Sequence, residues 1–164
     1  MRRSIMWSLC IVLAVLVISL PMSAIAADTI KIGATEPLSG TFKDIGERYL
    51  DGVVYAAKVI NANGGLLGKK VEVVPIDSEL KPDVATRKAQ NLILKDDVKF
   101  FCGGTGSSVG AAMSQLAQRE NVIMFTYGMA AATMTGAKCN KNFFRACANT
   151  DQQSYALAEL IARK

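Results

Sequence analysis

A doubly wound α/β fold with a parallel sheet is predicted by two features of this sequence. From residue 30 onward, short apolar runs alternate with stretches of helical periodicity, and that alternation is how parallel sheets with helices on both faces are encoded. The composition is that of a globular chain, 51% hydrophobic and 20% charged over 164 residues, which suffices for one ordinary domain.

The extreme N-terminus stands apart from that domain. Met1-Arg2-Arg3 is basic, residues 5–20 are almost wholly apolar, Pro21 breaks any helix, and Ala24-Ile25-Ala26 supplies small residues for cleavage. Basic, apolar, small is the order of a secretory signal peptide, so residues 1–26 read as a signal cleaved after Ala26 and the mature chain as exported. The apolar run is short for a permanent membrane span. Losing Arg2 and Arg3 lowers the net charge from +5 to +3. The remaining charge is scattered, which argues against a nucleic-acid partner.

Each element then follows in order. Residues 30–34 read as a strand. Residues 47–60 carry Leu50, Val53, Val54, Ala57 and Ile60 on one helical stripe, and Asn63-Gly64-Gly65 ends that helix through a left-handed cap. Residues 71–76 form a second strand, placed at a sheet edge because Pro75 cannot donate a ladder hydrogen bond. Pro82 opens a helix to about residue 94. Residues 99–102 are a short aromatic strand, followed by the tight loop 103–108 and a helix with Val109, Ala112, Met113, Leu116 and Ala117 inward. Residues 122–125 are a fourth strand, 126–139 a long loop, and 142–146 a fifth strand. Thr150-x-x-Gln153 predicts a capping box for a last helix carrying Leu157, Leu160 and Ile161.

Sheets of this type bind ligands beyond the carboxyl ends of their strands, where strand order reverses. The loops at 36–45, 103–108 and 126–139 are therefore the candidates. In the second, glycines permit close backbone approach. Ser107 falls at or beside a helix N-cap, where free N–H groups and the helix dipole favour an anion; the plainer reading is that Ser107 only caps its helix. Gly104-x-Gly106-x-x-x-Gly110 is a weak match to a dinucleotide loop, because it follows the third strand and no acidic residue stands near the end of the fourth. Glu36 and Asp77 both fall at strand ends, either as an acid–base pair or, more commonly, as solvated loop carboxylates. Met129 and Met134 read as packing residues, with thioethers that would also suit an apolar pocket. The chain has no histidine, which removes the usual catalytic triads and leaves no evident metal or cofactor site. Cys102 reads as a small buried hydrophobe. A strand between Cys139 and Cys147 would hold them beyond the ~7 Å Cα limit of a disulfide.

Several stretches resemble the periplasmic Leu/Ile/Val-binding proteins of ABC transporters. They are Ile30-Lys31-Ile32-Gly33, Pro37-Leu38-Ser39-Gly40, Gly46, the run from Ile60-Asn61-Ala62-Asn63-Gly64-Gly65 to Gly68-Lys69-Lys70-Val71-Glu72, Asp77, Phe143-Phe144-Arg145 and Asp151-Gln152-Gln153. The resemblance implies a type I periplasmic binding fold of two lobes closing on a ligand. It assigns 27–147 to the first lobe and 148–164 to the crossover and first helix of a second lobe that is otherwise missing. It implies a non-enzymatic solute-binding protein that delivers a small organic acid, amide or amino acid to a membrane permease, with Thr105, Gly106, Ser107, Gly128, Met129 and Ala130 at the ligand positions. Ala130 stands where amino-acid binders usually carry threonine and Ile45 where they often carry tyrosine, and the family's lobe-one disulfide positions fall on Leu80 and Gly106. Two alternatives have other functions: an exported nucleotide-dependent α/β enzyme, and a ligand-sensing domain of a signalling protein with the same fold.

Overall fold

The computed structural model describes residues 29–163; the signal peptide read in residues 1–26 lies outside them. Five parallel strands, β1 (Ile30–Glu36), β2 (Val71–Asp77), β3 (Phe100–Gly103), β4 (Ile123–Thr126) and β5 (Phe143–Arg145), lie in the order β2-β1-β3-β4-β5. The order reverses between β1 and β3. Pro75 stands in β2, which is an edge as expected.

The connecting helices are α1 (Lys43–Ala62), α2 (Pro82–Asp96) and α3 (Ser107–Glu120), and α4 (Thr150–Ala162) follows the last strand. α1 packs on β1 and β2. α2 and α3 pack on each other and on the sheet, with α2 on β1 and β2 and α3 on β4 and β5. The core lies between the sheet and α2 and α3, around Phe101, Met113, Leu116, Val122 and Met124. Strand periodicity explains the choice of face: Phe101 and Met124 are buried while their neighbours Phe100 and Phe125 are exposed. Gly33 makes room for this packing, since a Cβ there would lie 2.5 Å from the Phe101 ring.

The long glycine-bearing turn after α1 has a mechanical role. Gly65 N–H donates to the Ile60 carbonyl at 2.9 Å with φ +79°, closing the helix. Asn61 then grips the start of β2, its amide donating to the Val71 carbonyl and its carbonyl accepting from Val71 N–H, both at 2.8 Å. Asn61 thereby sets where the second strand begins.

Three expectations are corrected. α1 starts at Lys43, one turn before residue 47, because a 3₁₀ turn at Gly40–Phe42 runs directly into it. The last capping box is formed by Asn149 and Gln152, not Thr150 and Gln153: Asn149 accepts from Gln152 N–H at 2.8 Å, and the Gln152 side chain accepts from Asn149 N–H at 2.9 Å. Asparagine competes well with threonine for an N-cap. The Glu36 carboxylate is not solvated, as a common loop carboxylate would be, but fully buried.

Candidate functional site

The reversal of strand order brings the ends of β1 and β3 side by side. Gly103 sits opposite Thr35 in the ladder, and Gly104 N–H donates to the Thr35 carbonyl at 2.7 Å. Glu36 follows Thr35, and its side chain turns under the loop after β3. The Thr105 hydroxyl donates to Glu36 Oε2. The carboxylate occupies the space that a side chain at residue 103 would need: a Cβ there would lie 2.6 Å from Glu36 Oε1 and 2.4 Å from the Thr35 carbonyl, and φ is +102°. Only glycine fits both demands.

Gly106 is the N-cap of α3, and Ser107 is its first residue, exposed and making no capping hydrogen bond of its own. Ser107 is therefore beside the cap, with its hydroxyl and the first-turn N–H groups free of that duty. The second candidate loop meets the first. A Cβ on Gly128 would lie 2.8 Å from Thr105 Oγ1, so the two loops touch at that point. Met129 is fully buried, and its sulfur lies where a side chain on Gly110 would be, so its thioether packs in the core. Leu80 and Gly106 are neighbours, since a Cβ on Gly106 would lie 2.9 Å from Leu80 Cδ1.

The segment around β5 and the start of α4 holds this second loop. Thr150 N–H donates to the Ala130 carbonyl at 2.8 Å, Arg145 donates to the Ala131 carbonyl at 2.9 Å and to Thr135, and Cys147 Sγ lies 3.4 Å from the Met129 carbonyl. Cys139 and Cys147 are free thiols.

Sequence reasoning considered Glu36 only together with Asp77. The two are register partners on β1 and β2, but they serve different loops. Asp77 Oδ1 accepts from Leu38 N–H and Glu79 N–H, both at 2.9 Å, and so pins the turn after β1 to the turn after β2. A residue that the sequence did not single out completes the Glu36 cluster. Tyr127, at the end of β4, faces Glu36 and the Cys102 thiol, and its ring packs against Tyr49 of α1 with centroids 5.2 Å apart. Glu36 Oε1 and the Tyr127 hydroxyl both lack a partner in full hydrogen-bond geometry. Burial raises the Glu36 pKa, against the hydrogen bonds from Thr105 and Tyr127 that lower it. Burial, helped by the charge of Glu36, also raises the Tyr127 hydroxyl and pushes the Cys102 thiol up to about 11, which keeps that thiol unreactive. No periodicity marks such a cluster, because its members come from three strand ends.

The two carboxylates respond oppositely to acid. Native Glu36 holds its proton above the ordinary value of 4.5, so proton uptake favours the folded chain and stability rises as pH falls from neutral toward that range. For Asp77, burial would raise the pKa, but the Glu79 N–H, the Ser39 hydroxyl and the Leu38 N–H together hold it below the ordinary 3.8. Its contribution is present above 3.8 and is lost as pH falls through its native value. The urea midpoint is expected to rise on mild acidification and to fall at lower pH. Glu36→Gln should remove the rise and leave the fall, and an unchanged profile would show that Glu36 is not the group responsible.

Among the described residues no group of three His, Cys, Asp or Glu side chains is placed to hold a metal ion.

Comparison with known proteins places this geometry. Residues 29–164 match the family model described as periplasmic binding protein. The Leu/Ile/Val-binding protein BraC3 of Rhizobium johnstonii is 30% identical over 150 residues, covering 92% of this chain and 40% of that protein. Among solved structures, the branched-chain amino acid transporter substrate-binding protein LivJ of Streptococcus pneumoniae, in complex with isoleucine, matches with a TM-score of 0.69 and 27% identity over 74% of this chain and 34% of its own. A solute-binding protein of an ABC transporter from R. palustris, in complex with 4-hydroxybenzoate, matches with a TM-score of 0.64 and 26% identity over 74% of this chain and 32% of its own. The chain thus spans about two-fifths of the curated relative's length. With the parallel sheet, its order and the family match in agreement, the chain belongs to the periplasmic binding protein family.

Proposed function

We propose that residues 27–147 are the first ligand-binding lobe of an exported solute-binding protein, with the signal cleaved after Ala26 and residues 148–164 crossing toward a second lobe. The protein takes a small carboxylate, amide or amino acid and hands it to the membrane permease of an ABC transporter, without catalysing a reaction. The observation that carries this reading is the meeting of loops 103–108 and 126–139 at Thr105 and Gly128, beside the point where strand order reverses. Thr105, Gly106 and Ser107 on one side and Gly128, Met129 and Ala130 on the other are the ligand positions. Met129 contributes through its backbone, because its side chain is in the core. The ligands bound in related structures support the same chemistry, since isoleucine and 4-hydroxybenzoate both present a carboxylate.

Ser107 is assigned the ligand carboxylate. Its hydroxyl and the free N–H groups of the first turn of α3 supply charge-assisted hydrogen bonds. In a two-lobed form carrying this sequence, thermal shift against amino acids, aromatic acids and their amides should identify a stabilising carboxylate. Calorimetry on Ser107→Ala should then show a loss of about 1–3 kcal/mol. Unchanged affinity would reduce Ser107 to a surface residue of the helix start, and no stabilisation by any of the three classes would overturn the ligand assignment.

A further inference from the structure

The end of the sheet opposite the crevice carries an inference about a partner. All five strands are parallel and start at that end. The turn into β2 is its unusual part. Leu66 N–H donates to the Lys69 carbonyl at 2.8 Å and Lys69 N–H to the Leu66 carbonyl at 2.9 Å, so Leu67 and Gly68 are the central residues of a tight hairpin turn. Both have positive φ, +53° and +76°. Such turns favour Asn-Gly or Asp-Gly, because a bulky apolar residue is strained in the left-handed region. Leu67 is 96% exposed, so its strained backbone is not offset by apolar area removed from water. The fold itself does not favour leucine there.

Basic side chains share that end. Lys70 follows the turn, Lys95 stands in the last turn of α2, and Lys141 comes shortly before β5. All three are exposed and form no ion pair among the described residues. The acids nearby are largely committed: Asp96 to Lys31 at 3.0 Å, Asp97 to Lys99 at 2.7 Å and Glu120 to Arg119 at 2.9 Å, with Glu72 beside Lys31. Lys95 also suits the C-terminus of its helix, but Lys70 and Lys141 lie on no helix, so the helix dipole does not account for them. Charge that is scattered along the sequence is collected by the fold into a positive end, spread over a sheet width of roughly 19 Å.

A projecting leucine among lysines suits a bilayer surface with anionic headgroups. The lysines are drawn to the headgroups, and the apolar tip enters between them. The course of the chain agrees. β1 starts at Ile30, at this same end, and only residues 21–29 separate it from the apolar run at 5–20, a link of at most about 30 Å when extended. We propose that this end of the lobe docks on an anionic lipid bilayer, with Leu67 as its apolar anchor and Lys70, Lys95 and Lys141 as its electrostatic contacts. The crevice, at the other end of the strands, stays clear of the lipid.

The experiment places the full 164-residue chain, labelled at leucine methyls, on nanodiscs of phosphatidylglycerol or of phosphatidylcholine. Each disc carries a headgroup nitroxide that broadens nearby methyl signals. Residues 1–28 are the same in every arm, so their contribution cancels in the comparisons. Leu66 reports the proposed surface, and Leu80, which neighbours Gly106 at the crevice end, is the reference. The broadening of Leu66 relative to Leu80 should be at least about fivefold greater on phosphatidylglycerol, the scale of one lysine at an anionic surface. Lys70→Glu should return it to the phosphatidylcholine level. Leu67→Asn suits the turn and should leave the urea midpoint equal or higher, yet it should lower the broadening by a similar factor. Leu67→Met, which keeps an apolar tip, should retain it. Equal broadening on the two lipids, or broadening unchanged in either Lys70→Glu or Leu67→Asn, overturns the inference. So does equal broadening of Leu66 by a nitroxide-labelled second copy without lipid, which would make this end an interface between copies.

Discussion

Gly103→Ala is expected to destabilise the chain by about 2–5 kcal/mol, a large share of the total stability of a domain this size. Two costs add. An L-residue at φ +102° is strained by roughly 1–3 kcal/mol. The new methyl would also meet the Thr35 carbonyl at 2.4 Å and Glu36 Oε1 at 2.6 Å. The carbonyl cannot swing aside, because it accepts the Gly104 N–H at 2.7 Å within the β1–β3 contact; overpacking of this kind costs about 1–3 kcal/mol. Urea unfolding of the variant would measure the loss. Pairing Gly103→Ala with Glu36→Ala separates the two terms: removing the carboxylate relieves only the side-chain clash, so most of the loss should remain. A Gly103→Ala variant as stable as the parent would mean that the loop is free to move, and the Thr105–Glu36 geometry would lose its foundation.

The second large effect concerns the surfaces that this chain leaves uncovered. Every described residue of α4 is exposed, including Leu157, Leu160 and Ile161. The helix is held at its start by the Asn149–Gln152 capping box and the bond from Thr150 N–H to the Ala130 carbonyl. A helix of this length is marginal without packing. In the 164-residue chain, amides of residues 153–161 should exchange at least about 100-fold faster than those of residues 113–117, whose side chains are largely buried in the core. Strong protection across 152–161 in a monomer would show that α4 is supported by contacts the structure lacks.

The sheet face beside α1 makes the same point. Phe100, Phe125 and Phe144 are 43%, 47% and 45% exposed, and Phe125 stacks on Phe144 at 5.1 Å between centroids. Phe100 and Phe125 border a groove of about 810 Å³ that α1 flanks with Tyr49, Val53 and Ile60. Contiguous apolar surface of that kind binds hydrophobic dyes and favours association. ANS fluorescence should therefore be high for the folded chain and should fall in Phe125→Lys. Low fluorescence in the unmodified chain would show that this face is covered in solution.

The order of strands and helices was legible in the residues themselves. Alternating apolar runs, Pro82 at a helix start, Asn63-Gly64-Gly65 at a helix end and Pro75 at a sheet edge each act through local backbone chemistry, and each element appeared where it was expected to within about a turn. The same holds for Ser107, because a glycine loop followed by a helical stripe marks a helix start from sequence alone. What the sequence could not decide was which side chains the reversal of strand order would bring together. Glu36 read as a free or catalytic carboxylate beside Asp77, Cys102 as a hydrophobe, and Tyr127 as nothing in particular. The meeting of Cys102, Thr105 and Tyr127 around Glu36 joins residues up to 91 positions apart through strand ladders and not through any local pattern. Burial of a carboxylate, and the single proton that holds Thr105 to it, are properties of that three-dimensional neighbourhood, so only the tertiary structure could supply them.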